Sequence, residues 1–149
     1  MKLLSLQVSA LGLVSATRVE YYVDNFPLNF NDAIKSCASN NILKDGCKYQ
    51  IATFKDQSEF QDFQEFERSH IEDFQAFIGG VSYSTNRRWF WLGETTDIDD
   101  FLAPFWHKGE PKNEQSKNVL CVRSEDGEIK NCDGDKRYGF VCERRCPNF

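Results

Sequence analysis

Six cysteines, Cys37, Cys47, Cys121, Cys132, Cys142 and Cys146, constrain this chain more than any other feature. All of them follow residue 16, and residues 1 to 16, MKLLSLQVSALGLVSA, read as a cleaved secretory signal: a basic start at Lys2, an apolar run, and a small-x-small end at Val14-Ser15-Ala16. The apolar run is shorter than the ~20 residues that span hydrocarbon, and no other stretch approaches that length, so no membrane span is expected. The product is expected to be secreted and extracellular. In an oxidising compartment an even cysteine count reads as three disulfides, and spacing alone does not choose among their possible pairings. A structural zinc site is not expected, because there is no Cys-x-x-Cys pair and only His70 and His107 to complete one.

Residues 17 to 149 are enough for one domain with a single core. Loss of Lys2 with the leader leaves 17 Lys plus Arg against 23 Asp plus Glu, a formal net charge of −6. That balance argues against polyanion binding as a main activity and leaves no expectation of a nucleic-acid partner. An enzyme is not expected: the chain has no Gly-x-Ser-x-Gly elbow, no His-Glu-x-x-His helix, and no cysteine left free once three disulfides form. His70 and His107 read as solvated side chains.

Along the chain, residues 17 to 24 carry β-branched and aromatic side chains and predict an opening strand closed by the turn Asp24-Asn25-Phe26-Pro27. Asn29 then predicts a helix cap, with Phe30, Ala33, Ile34 and Cys37 on one face. Tyr49 to Phe54 is a short strand, after which Asp56 and Glu59 predict a reciprocal capping box. The stripe Phe60, Phe63 and Phe66 of that second helix is core, since its opposite face is polar. Ala76 to Val81 predicts a buried strand with close backbone approach at Gly79 and Gly80. Periodicity is lost from Ser82 to Phe105, where Asn86-Arg87-Arg88 is a turn and Glu94 to Asp100 holds four acids. Such a segment in a compact domain reads as a functional loop. Three short strands follow, at Asn118 to Arg123, Gly127 to Asn131 and Tyr138 to Glu143.

Taken in order, these pieces resemble a C-type lectin-like domain over nearly all of residues 17 to 149. The matching residues are Phe30-x-x-Ala33-x-x-x-Cys37, Phe77-Ile78-Gly79-Gly80, Trp89-x-Trp91-x-Gly93, Trp106-x-x-Gly109-Glu110-Pro111, Cys121, Cys132 and Phe140-Val141-Cys142-Glu143. The resemblance implies an α+β fold in which two helices flank small antiparallel sheets, with a long loop anchored by disulfides. It also implies the pairs Cys37–Cys142 and Cys121–Cys132, leaving Cys47 for Cys146.

Sugar-binding members of that family hold a calcium ion in the long loop with carboxylates and amides that also bond sugar hydroxyls, a task for hard oxygen donors. Here Glu110-Pro111 resembles the start of the family's Glu-Pro-Asn motif, but Lys112 follows and the amide arrives late, as Asn113. The family's Trp-Asn-Asp is matched by Ile129-Lys130-Asn131, and an acid expected two residues before Cys121 is replaced by Val119. A lysine in a ligand position repels a dication, so a calcium site of the usual geometry is not expected. Glu110, Asn113 and Asn131 are the candidate metal ligands if the loop is remodelled. The expectation is carbohydrate binding, to glycans or glycoproteins, through Glu110, Asn113, Asn131 and the ring of Trp89; Trp91 and Trp106 are assigned to the core. The alternative is a calcium-independent protein-binding module on the same fold, with Glu94 to Asp100 as an acidic contact surface for a basic protein.

Overall fold

The structure, a computed structural model, describes residues 2–8, 17–67, 75–83 and 88–147. The end of the expected leader at Val14-Ser15-Ala16, together with His70, Asn86 and Arg87, lies outside them. In chain order the elements are β1 (Lys2–Val8), β2 (Thr17–Leu28), α1 (Phe30–Ala38), a 3-10 turn (Ser39–Leu43), β3 (Lys48–Ile51), α2 (Gln57–Glu67), β4 (Gln75–Val81), β5 (Phe90–Trp91), α3 (Asp99–Leu102), β6 (Val119–Arg123), β7 (Ile129–Cys132) and β8 (Tyr138–Pro147). Among the described residues no helix is long and apolar enough to cross a membrane.

The strands form one sheet in the order β1-β2-β8-β4-β6-β7, with β3 also pairing β8 and β5 pairing β4. Every pairing is antiparallel except β4 with β8, where Ala76 and Phe77 run parallel to Gly139 and Phe140. The separate small sheets expected from the sequence are thus joined into one through that parallel contact. β1, made from the expected leader, pairs with β2 from Lys2 opposite Val23 to Val8 opposite Thr17.

Alternation along the strands sends side chains to two cores, one on each face. Val19, Tyr21 and Val23 of β2, Ala76 and Ile78 of β4, and Leu120 and Val122 of β6 face α2 and the tryptophan-rich segment. Tyr22, Phe77, Val119 and Cys121 face α1. Phe60 and Phe63 are fully buried against the first face and Phe66 nearly so, each contributing about 1.5–3 kcal/mol of apolar burial. Gly79 and Gly80 allow the close approach: a Cβ on Gly80 would sit 2.2 Å from Leu120 Cδ1.

Local chemistry sets the helix starts. Asn29 Oδ1 accepts the Asp32 N–H at 2.9 Å, and Asp56 Oδ1 accepts the Glu59 N–H at 2.8 Å, so both first turns have a donor satisfied. Glu59 reaches back one residue beyond a strict capping box, its Oε1 accepting the Lys55 N–H at 3.3 Å. The same carboxylate also accepts from Tyr21 Oη and the Arg145 guanidinium. Arg145 also pairs with Glu143, which accepts the Thr53 N–H and hydroxyl. Glu59 thus combines a helix-start contact with a buried charge network tying α2 to β8. The expected turn at Asp24 to Pro27 is a bulge within β2, held by the Phe26 N–H to Asp24 Oδ1 at 2.9 Å.

The disulfides are Cys37–Cys142, Cys47–Cys146 and Cys121–Cys132: two are the pairs that the family pattern implies, and Cys47–Cys146 is the pair left over. The first two tie α1 and the segment before β3 to β8.

Candidate functional site

The segment Trp106 to Lys117 hangs on the outer edge of β7. The Ile129 N–H donates to Phe105 O at 2.8 Å and the His107 N–H donates to Ile129 O at 2.9 Å. Two residues on, the wholly buried Asn131 continues the attachment with its side chain. Its Oδ1 accepts the Lys112 N–H at 2.7 Å, while its Nδ2 donates to Lys112 O at 2.8 Å and Lys117 O at 3.0 Å. Between these attachments the chain reverses through Gly109, whose φ of +86° suits a residue without a Cβ. Glu110-Pro111 follows with a cis peptide bond.

This geometry separates the three candidate metal ligands. Asn131 has all three of its amide hydrogen-bonding contacts committed to the loop backbone. Asn113 is exposed and does not line the adjoining cleft. Glu110 has a side chain only 6% exposed; its Oε1 lies 4.0 Å from Lys112 Nζ, and its Oε2 is buried without a partner. The carboxylate therefore faces lysine ammonium groups from the two positions where the family pattern supplies oxygen donors. Trp89, expected to offer its face to a sugar, is 2% exposed and packs edge-on against Trp106. Its ring is core, because Ile98 donates to its carbonyl and Asp99 accepts from its N–H, closing the segment over it.

Beside Glu110 opens a cleft of about 500 Å³ whose walls carry Gln75, His107, Lys108, Lys112, Arg123, Glu125 and Lys130. Lys130 projects from β7 between the two attachment residues. Burial pushes its ammonium below the usual lysine range; Glu110 opposes that shift, and the neighbouring cations Lys117, Arg123 and Lys112 reinforce it. Sequence reasoning treated Lys112 and Lys130 only as losses from a metal site. Their convergence with Arg123 and Lys108 depends on the β6–β7 hairpin register, Cys121 opposite Lys130, which no local pattern announces.

In the acidic segment Glu94, Asp97, Asp99 and Asp100 are all exposed. Asp97 pairs with the surface residue Arg88 at 3.5 Å, Asp99 accepts from Trp89 as above, and Ile98 between them is buried.

Among solved structures, the lectin CEL-I from Cucumaria echinata superposes with a TM-score of 0.68 at 15% identity over 85% of this chain and 89% of that one. The fold is C-type lectin-like. Human lithostathine matches this C-type lectin-like domain with a TM-score of 0.67 at 20% identity, over 87% and 84% of the two chains. The C-type lectin domain of murine dendritic cell inhibitory receptor 2, solved in complex with an N-glycan, matches at 0.66 and 20%, over 84% and 89%. Neither the protein-family models nor the sequences of curated proteins match the chain.

Proposed function

We propose that this chain is a secreted lectin-like recognition domain that binds a glycan bearing an acidic group, without calcium, in the cleft beside Glu110. The observation that carries this reading is Lys130: a partly buried ammonium with no ion pair within 4.0 Å among the described residues, flanked by Lys112 and Arg123. A carboxylate or sulfate on a sugar completes such a site by charge-assisted hydrogen bonds, while Gln75 on the cleft wall offers a donor and an acceptor to ring hydroxyls. The net negative charge, which argued against a polyanion ligand, averages over the whole molecule; the cleft has its own sign. The glycan complex of the similar receptor domain supports a sugar as ligand.

The test is binding of the oxidised protein to an array of sulfated, uronic, sialylated and neutral glycans, with calcium and with a chelator. Acidic glycans are expected to bind equally in both conditions, to weaken as salt rises, and to lose at least about tenfold in affinity in Lys130→Gln, the effect of ~1.4 kcal/mol. Binding confined to neutral glycans, or abolished by the chelator and restored by calcium, would overturn the reading. N-terminal sequencing of the secreted product checks the leader, with Thr17 expected first.

A further inference from the structure

On the far wall of the same region, His107 meets the β6–β7 turn. Its Nδ1 is a buried atom without a hydrogen-bond partner, and it lies 3.6 Å from Asp126 Oδ2 and 3.8 Å from Glu128 Oε2. One donor atom from each of the three residues lies within 4.8 Å of one from each of the others. We propose that His107, Asp126 and Glu128 form a site for a divalent transition metal of the zinc class, with water completing the coordination.

Three observations converge on it. The first is size: His107 Nδ1 stands 3.6 and 3.8 Å from the two carboxylate oxygens, and a donor from each residue lies within 4.8 Å of the others, spacings close to those spanned by a central ion with the ~2.0–2.2 Å bonds of zinc to imidazole and carboxylate. The second is support. The Glu128 N–H donates to Asp126 Oδ1 at 2.9 Å, and Arg123 Nε lies 4.0 Å from that same oxygen. Asp126 is thereby oriented with Oδ2 turned to the histidine, the kind of outer contact that positions a metal ligand. His107 is pinned by its own backbone bond to Ile129. The third is donor chemistry: two carboxylates alone suit calcium or magnesium, but an imidazole nitrogen facing them selects zinc and its neighbours in the transition series.

This inference is independent of the glycan reading, because its probe is the metal alone. Zinc chloride is titrated calorimetrically into the full oxidised chain, with calcium chloride as the parallel titrant. One zinc per chain is expected to bind, with affinity reduced at least tenfold in His107→Ala and in Glu128→Gln, and calcium is expected neither to bind there nor to compete. Cobalt loading adds a spectroscopic check: visible bands of a low-symmetry, nitrogen-containing site should vanish in His107→Ala. Circular dichroism of each variant confirms that it is folded, and Asp126→Asn provides a third variant if either of the others is not. No stoichiometric zinc binding by the parent chain, or binding unchanged in the folded variants, would show that the three side chains are a surface ion-pair cluster and overturn the proposal.

Discussion

Asn131→Asp separates two views of the long loop more sharply than any other single change. If Asn131 is a metal ligand, a carboxylate strengthens the site. If it is the clamp that the hydrogen bonds describe, the substitution removes both Nδ2 donations, to Lys112 O at 2.8 Å and Lys117 O at 3.0 Å, and points an oxygen at two carbonyls. The bond that survives is the one accepted from Lys112 N–H at 2.7 Å. Two lost bonds at about 1 kcal/mol each, with at least one acceptor left unsatisfied at about 1–3 kcal/mol, give a destabilisation of roughly 3–5 kcal/mol. Placing a carboxylate at a wholly buried position adds to it. With a urea slope of about 2 kcal/mol/M, the unfolding midpoint should fall by roughly 1.5–2.5 M. The assay is equilibrium urea unfolding with the disulfides intact, with and without 10 mM calcium (a concentration on the order of a hundred times the Kd of a moderate site), followed by hydrogen exchange at the Lys112 amide. A calcium-liganding residue would instead yield a variant stabilised by about 2.7 kcal/mol at a hundredfold excess of ion. A variant as stable as the parent, or one rescued by calcium, refutes the clamp.

Two further perturbations test the frame. Arg145→Ala strands the carboxylates of Glu59 and Glu143, 3% and 0% exposed, and is expected to cost about 3–5 kcal/mol in thermal or urea unfolding; a loss below 1 kcal/mol would mean that the network does not hold α2 to β8. Asp45 accepts from the Tyr49 hydroxyl first, then from the Cys47 N–H, and pairs with Arg144. These contacts lower its carboxyl to about 2. A depressed carboxylate contributes stability that is complete above its unfolded value and is lost as pH falls through its folded one, so the melting temperature of the parent should drop between roughly pH 4 and pH 2 and that of Asp45→Asn should drop less over that window.

Much of the frame was legible because it is written in local chemistry. Asn29 and Asp56 are capping residues followed by apolar positions at helical spacing, and the stripe Phe60, Phe63, Phe66 has nowhere to go but the sheet. Gly79-Gly80 marked a close approach before any partner was known. What sequence could not show is what depends on register. Glu59 fits a capping box by spacing and does reach back, to the Lys55 N–H, yet the pairing of β2 with β8 also brings Tyr21 and Arg145 within its reach, which no local spacing announces. Trp89 fits a sugar platform by its neighbourhood in the chain, but the return of Ile98 and Asp99 closes over it. At the site, Glu110 was recognisable from its motif, whereas Lys130, Arg123 and the grouping of His107 with Asp126 and Glu128 arise from a hairpin and a loop docking edge to edge, with no shared spacing to reveal them.

The place of β8 in the sheet has a consequence for how the molecule is made. This strand lies between β2 and β4, also receives β3, and carries Cys142 and Cys146, the partners of Cys37 and Cys47. Every other described strand leaves the ribosome before it. The two halves of the sheet therefore emerge with a strand-wide gap between them and two thiols waiting, and neither face can close until Tyr138 to Pro147 arrives. Assembly of the sheet waits on β8, and a chain cut short at Tyr138 loses the centre of its sheet rather than its edge.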